Sequence, residues 1–174
     1  MATDDQEPTE VLVRVETFDA FYRRHYRGLV ALVLALSGNP GTAEDIAQDA
    51  MVVTYRRWDE VSAYDDPTAW VRRVAVNRAT SLGRRRLAEM RAVIRLAGRR
   101  EPLPAMPQPD EQLWAEVRRL PRRQGQCVAL HYLLDCSVEE TARTLGCAEG
   151  TVKAHLFHAR ATLASRLGVP DGAS

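Results

Sequence analysis

The sequence has no long hydrophobic run, no paired-cysteine motif and no catalytic constellation, and each absence excludes a class of protein. Its longest uninterrupted apolar stretch, Leu29 to Leu36, is far short of the roughly 20 residues that a membrane helix needs. The N-terminus is acidic where a secretory signal would be basic, so the chain is expected in the cytoplasm, without membrane insertion. Three cysteines, Cys127, Cys136 and Cys147, form no CxxC pair and do not stand among the histidines at zinc-ligand spacing. No metal or other cofactor is expected, and such thiols belong to cores or turns more often than to redox switches. The acidic residues have no convergent histidine partner, so the chain does not read as an enzyme. No internal repeat is visible, and no strand alternation interrupts the first half.

What is present is a 174-residue chain, 45% hydrophobic and 27% charged, enough for one moderate core or two small ones. The net charge of +1 conceals a segregation of signs. Residues 1–66 carry 6 basic and 13 acidic groups, residues 67–100 carry 10 and 1, and residues 101–174 carry 8 and 9. Ten arginines with a single carboxylate repel one another without an anionic partner, which points to nucleic acid, although a solvated face is the other reading. Lys153 is the only lysine. Arginine forks onto phosphates and guanine edges better than lysine does, but the codon bias of a GC-rich genome is the simpler reason.

Order begins near Phe18, after an acidic tail expected to be disordered over residues 1–17. Phe18, Phe21, Tyr22, Tyr26, Leu29, Val30, Val33 and Leu36 recur at helical spacing. Ser37-Gly38-Asn39 ends that helix, and Asn39 with Pro40 opens a second one running to about Trp58. Asp66-Pro67 repeats the start signal, and Trp70, Val71, Val74, Ala75, Ala79 and Leu82 carry a third helix into the arginine block. Four prolines between Glu101 and Asp110 cannot be helical and mark a linker, residues 96–110.

The chain restarts near Leu113, and Pro121 opens a helix to about Leu134. Ser137-Val-Glu-Glu140 is a capping box before a short helix, Gly146 supplies a left-handed stop, and Thr151 to Leu167 forms a longer helix with Val152, Leu156, Ala159, Leu163 and Leu167 on one face. Short helix, glycine turn and longer helix make a helix-turn-helix, whose second helix enters the major groove. Its outward side chains are Thr151, Lys153, Ala154, His155, His158 and Arg160. A structural helical bundle would also expose polar residues there. On the second helix of the chain, Ala43, Ile46, Ala47, Ala50 and Thr54 line an inner face. Asp45, Gln48, Asp49, Val52 and Arg56 line an outer one suited to a basic or mixed protein partner, or simply to water.

The runs Ala43-Glu-Asp-Ile-Ala-Gln-Asp-Ala50 and Pro67-Thr-Ala-Trp-Val-Arg-Arg-Val-Ala-Val-Asn77, then Leu120-Pro121 and the helix-turn-helix, resemble extracytoplasmic-function sigma factors of the sigma-70-like type with regions 2 and 4 only. The resemblance spans residues 18–168. It implies an all-α chain of two helical domains joined by a flexible linker: a region 2-like bundle of three or four helices at 18–95 and a region 4-like helix-turn-helix domain at 111–168, with a tail at 169–174. It implies a transcription initiation factor that binds core RNA polymerase and promoter DNA, and it brings an anti-sigma factor into consideration. Asp45, Gln48, Asp49 and Val52 match the surface that docks on the clamp helices of the largest subunit, and the flap of the polymerase is a further expected contact.

The resemblance further assigns the segment from about Trp58 to Asp66, with the helix bearing Trp70, Asn77 and Arg78, to opening and reading the minus-ten element. Melted bases need a flat surface, for which Trp58, Tyr64 and Trp70 are candidates, though each also suits a core. The separated strand needs cations, for which Arg72, Arg73, Arg84, Arg85 and Arg86 are candidates. The outward set on the last helix would read the minus-thirty-five element. His155 and His158 stand where arginines are common in the family, Thr80-Ser81 replace an acidic position, and Ala148 lacks a capping side chain. A free-standing helix-turn-helix regulator remains the alternative function, since it would need no polymerase.

Overall fold

The structure, a computed structural model, describes residues 16–94 and 111–168, of which 82–94 by backbone alone. The expected linker at 96–110, the bulk of the N-terminal tail and the tail at 169–174 lie outside the described residues. All regular structure among the described residues is helical.

Local chemistry sets the helix ends. The Thr17 side chain accepts from the Ala20 amide at 3.3 Å to open α1, Phe18–Ser37, and Gly38 closes it at φ 68°. Asn39 accepts from the Thr42 amide at 2.9 Å to open α2, Pro40–Arg56, with proline in the first turn, where its missing amide costs nothing. The expected continuation to Trp58 is broken at Arg57, whose backbone leaves the helical region, and Trp58–Val61 forms a separate single turn, α3. Asp66 accepts from the Ala69 amide at 2.8 Å at the start of α4, Pro67–Ile94.

After the linker, α5 spans Glu111–Arg118 and α6 spans Arg122–Val128, and the chain then widens into a π-helical turn over Ala129–Leu133. That turn is closed by the Cys136 amide donating to the Leu130 carbonyl at 3.1 Å and by His131 Nδ1 donating to the Cys136 carbonyl at 2.7 Å. Both arms of the capping box form at α7, Val138–Leu145: Glu140 N donates to Ser137 Oγ at 3.0 Å and Ser137 N to Glu140 Oε2 at 2.7 Å. Gly146, at φ 65°, turns the chain toward α8, Glu149–Leu167, where Ala148 gives no side-chain cap.

Among the described residues two hydrophobic clusters result, and they do not divide at the linker. The first packs Phe21, Leu29 and Val33 of α1 against Ile46, Ala47, Ala50 and Met51 of α2 and Val71 and Ala75 of α4. The second is built from Val117, Leu120, Cys127, Leu130, Ala142, Leu145, Val152, Leu156 and Ala159, yet it also contains Leu32 and Ala35 of α1 and Val76 of α4. Helix α1 is therefore apolar on two sides and α4 buries side chains into both clusters, so the two helical halves pack on one another. Polar bonds line the seam: Arg73 Nε donates to the Thr144 carbonyl at 3.0 Å, Arg143 pairs with Asp66 at 2.9 Å, and Gln126 reaches Thr80 at 3.5 Å.

Candidate nucleic-acid and partner interface

Helix α8 is buried along Val152, Leu156 and Ala159, which places Thr151, Lys153, Ala154, His158 and Arg160 in solvent. His155 sits at the edge of that face, half-buried. Two of the cations are already engaged: Lys153 lies 3.8 Å from Glu149, and Arg160 hydrogen-bonds the Tyr132 hydroxyl with its guanidinium over the Tyr132 ring. The sequence reading missed Phe157, which is 69% exposed among these residues. Its position one residue past the buried Leu156 was the signal.

Helix α2 turns Ala43, Ile46, Ala47, Ala50 and Thr54 inward, all buried. Asp45, Gln48 and Asp49 are exposed on the other side, as is Val52. Below them Phe18, Tyr22, Gln48, Met51, Val52 and Tyr55 line a shallow groove of about 280 Å³. Tyr55 is 64% exposed there, and the sequence reading missed it too, although it stands one turn on from Val52. The outer face thus joins exposed carboxylates to a shallow apolar groove.

The candidates for strand handling are dispersed. Trp58 packs its ring against Phe18 and Phe21, with centroids 5.5 and 4.9 Å away, so in this conformation it serves the core. Trp70 is half-buried, and the Arg57 guanidinium lies 5.4 Å above its ring. Tyr64 stands 6.4 Å from Trp70 and donates its hydroxyl to Glu60. The bond to Glu60 raises the Tyr64 pKa, while Arg57, first by hydrogen bonding, lowers that of Glu60. Arg57, Glu60, Tyr64 and Trp70 therefore form one connected surface, in which Arg57 was not anticipated. Asn77 is exposed, and Arg78 pairs with Asp49 at 2.7 Å, which links α4 to the outer face of α2. Arg73, though exposed, bonds the carbonyls of Arg143 and Thr144 across the seam. The side chains of Arg84, Arg85 and Arg86 lie outside the described residues.

No group of three or more histidine, cysteine or carboxylate side chains among the described residues is placed to hold a metal ion. Burial pushes the Cys127 thiol up to about 11, and burial raises Cys136 as well, which makes both poor nucleophiles. No described helix is long and apolar enough to cross a membrane.

A helix-turn-helix packed on a helical bundle is an architecture of DNA-binding transcription factors. The sigma-70 region 2 family matches residues 21–89 and the sigma-70 region 4 family matches residues 110–163. The ECF RNA polymerase sigma factor SigM of Mycobacterium tuberculosis is 32% identical over 151 residues, which cover 87% of this chain and 77% of that protein. The RNA polymerase sigma-E factor of Streptomyces coelicolor is 32% identical over 163 residues, 88% of each chain. The chain belongs to the extracytoplasmic-function RNA polymerase sigma factors. It is a transcription initiation factor that directs RNA polymerase to promoters, within a family of non-catalytic transcription factors.

Solved structures share the fold. The sigma factor RpoE of Bartonella quintana, in complex with the anti-sigma factor NepR, superposes with a TM-score of 0.72 at 23% identity and covers 88% of this chain and 98% of that one. CnrH, in complex with the cytosolic domain of CnrY, gives 0.65 at 21% identity, covering 88% and 89%.

Proposed function

We propose a division of labour within this sigma factor. The region 2-like module at 18–95 docks on polymerase through Asp45, Gln48, Asp49 and Val52 and handles the minus-ten element. The region 4-like module at 111–168 reads the minus-thirty-five element through the outward face of α8. The observation that carries this reading is the separation of two exposed faces: a carboxylate-and-groove face on α2, and a cationic face on α8 whose opposite side is filled by Val152, Leu156 and Ala159.

Strand handling falls to the surface formed by Trp70, Arg57, Tyr64, Asn77 and Arg78, with Arg84 and Arg85 assigned the same role from the sequence alone. Stacking and cation contacts offset the cost of unpairing bases, and a cationic helix adds salt-sensitive affinity for the backbone. Trp58 supports this surface from the core. The chain performs no covalent chemistry and acts in the cytoplasm, where the clamp helices and flap of core polymerase and the promoter duplex are its partners. The anti-sigma complexes of its solved neighbours support an anti-sigma partner for this chain too.

The test is run-off transcription with the purified chain, core polymerase and a promoter library, alongside duplex binding by the chain alone. Promoter-specific transcripts that require the chain are expected, with weak binding by the chain alone. Failure to associate with core polymerase, together with tight polymerase-independent occupancy of a duplex, would replace this reading with that of a free-standing regulator.

A further inference from the structure

A cleft of about 110 Å³ opens where the two halves meet, bounded by Arg24, His25 and Gly28 of α1, Thr68 and Arg72 of α4, and Leu134 just past the π-helical turn. A Cβ at Gly28 would stand 3.5 Å from Leu134 Cδ2, so the halves touch beside it. Arg72, which the sequence offered for the melted strand, lines this cleft.

The charges around the cleft do not balance. Arg24 has Glu16 at 3.1 Å. Asp66, the other carboxylate within electrostatic reach of His25, accepts from the Ala69 amide at 2.8 Å and pairs with Arg143 at 2.9 Å. On the side of the second half, Glu140 is held by the Ser137 amide, Asp135 stands in solvent, and burial favours the neutral Cys136 thiol. Arg72 is half-buried and has no hydrogen bond or ion pair among the described residues. A guanidinium drawn partly out of water and left unpaired carries a desolvation cost that a counter-ion offsets.

Donors of three kinds converge on the same space. His25 Nε2 lies 3.4 Å from Thr68 Oγ1, and with the imidazole donating, the hydroxyl proton is free to turn into the cleft. Burial first, then Arg72, holds the His25 pKa below its ordinary value, so the imidazole registers the local excess of positive charge. A planar carboxylate satisfies one guanidinium fork, whereas a tetrahedral oxyanion presents oxygens to donors arriving from two helices. The volume is well under the roughly 300 Å³ at which drug-sized pockets begin, which suits a single oxyanion and not a nucleotide.

We propose that this cleft binds a small tetrahedral oxyanion of the phosphate type, held by Arg72 and Thr68 of α4 and by Arg24 of α1. Because Leu134 of the second half closes the cleft, the bound anion favours the packed arrangement of the halves. The site does not depend on which faces meet polymerase or promoter.

The full chain is titrated with inorganic phosphate at constant ionic strength, chloride making up the difference. A saturable rise in Tm is expected, about 3–6 °C at ten times the dissociation constant. Arg72→Gln should lose the saturable part, and Thr68→Val, which keeps both cations, should weaken binding roughly fivefold, the worth of one hydrogen bond. In the wild type, the His25 ring resonance, identified by its loss in His25→Gln, should titrate at higher pH with the anion present, because a negative charge favours the imidazolium. Sulfate, whose charge stays constant over that range, should move it in the same direction, while Arg24, Arg72, Glu16 and Asp66 act on the ring with and without the anion. An equal, unsaturating rise in wild type and Arg72→Gln is the signature of ions excluded from the surface and overturns the site. So does an unmoved His25 titration in the wild type, which decides the matter if Arg72→Gln fails to fold.

Discussion

Arg73 of α4 donates from Nε to the Thr144 carbonyl at 3.0 Å, and its guanidinium also meets the Arg143 carbonyl. These carbonyls belong to the last turn of α7, where the backbone lacks partners and the helix dipole favours a cation. The arginine block therefore begins by gripping the helix-turn-helix. Arg73→Ala should loosen the two halves from one another. Because Arg73 is exposed, the loss is small, on the order of 1 kcal/mol, or a fall of about 2–4 °C in Tm. Calorimetry reads that shift and small-angle scattering the accompanying expansion; an unchanged Tm and radius would mean that the contact holds nothing.

Leu32 is fully buried in the cluster shared by both halves. Truncation to alanine should cost about 2–5 kcal/mol. Since the cluster spans the seam, urea unfolding of the wild type should follow one transition by fluorescence and circular dichroism alike, with the midpoint lowered in Leu32→Ala. Two resolved transitions in the wild type would contradict a shared core.

Asp45 and Gln48 are exposed on α2, opposite its buried face. Asp45→Arg combined with Gln48→Ala should leave the melting temperature within about 1 °C, the ordinary range for surface changes, while abolishing transcription with core polymerase. Wild-type transcript levels from the double variant would refute the docking assignment.

Lys153 is exposed on α8 and His155 lies at its edge. Exchanging both should alter which promoters are transcribed without weakening association with core polymerase. Equal loss of promoter choice and polymerase affinity would argue against a groove role for these side chains.

His25 lies between the halves in a cleft lined by Arg24, Gly28, Leu29, Thr68, Val71, Arg72 and Leu134. Burial first, then Arg72, lowers its pKa below the ordinary 6.5, with Arg24 adding to the effect and Glu16 and Asp66 opposing it. The unfolded chain then binds a proton that the folded one resists, so this histidine destabilises the fold as the pH falls below about 6.5. Thermal melts between about pH 5 and 7.5 should show Tm rising with pH over the lower part of that range, and His25→Gln should flatten the rise. An identical slope in the variant would assign the effect to other groups.

What was legible in the sequence was local. Asn39 with Pro40, Asp66 with Pro67, Ser137 with Glu140, and the glycines at 38 and 146 act on amides or turns within a few residues, so a short window contains the whole cause. The inner and outer faces of α2 were equally legible, because helical period alone sorts them. The seam was not. Leu32 and Ala35 add a second apolar side to α1, but periodicity names no partner for that side, and a proline-rich stretch suggested separate bodies. The same limit hid the seam role of Arg73 and the position of Arg57 over Trp70, since a charged residue on a helix reads as solvated until a neighbour distant in sequence is known.

The shared cluster also bears on how the protein is made. Leu32, Ala35 and Val76 leave the ribosome well before their cover of Val117, Leu130 and Leu145 has been synthesised. During that interval the nascent chain presents a sticky apolar strip, an invitation to chaperones or to premature association that closes only when translation supplies the second half.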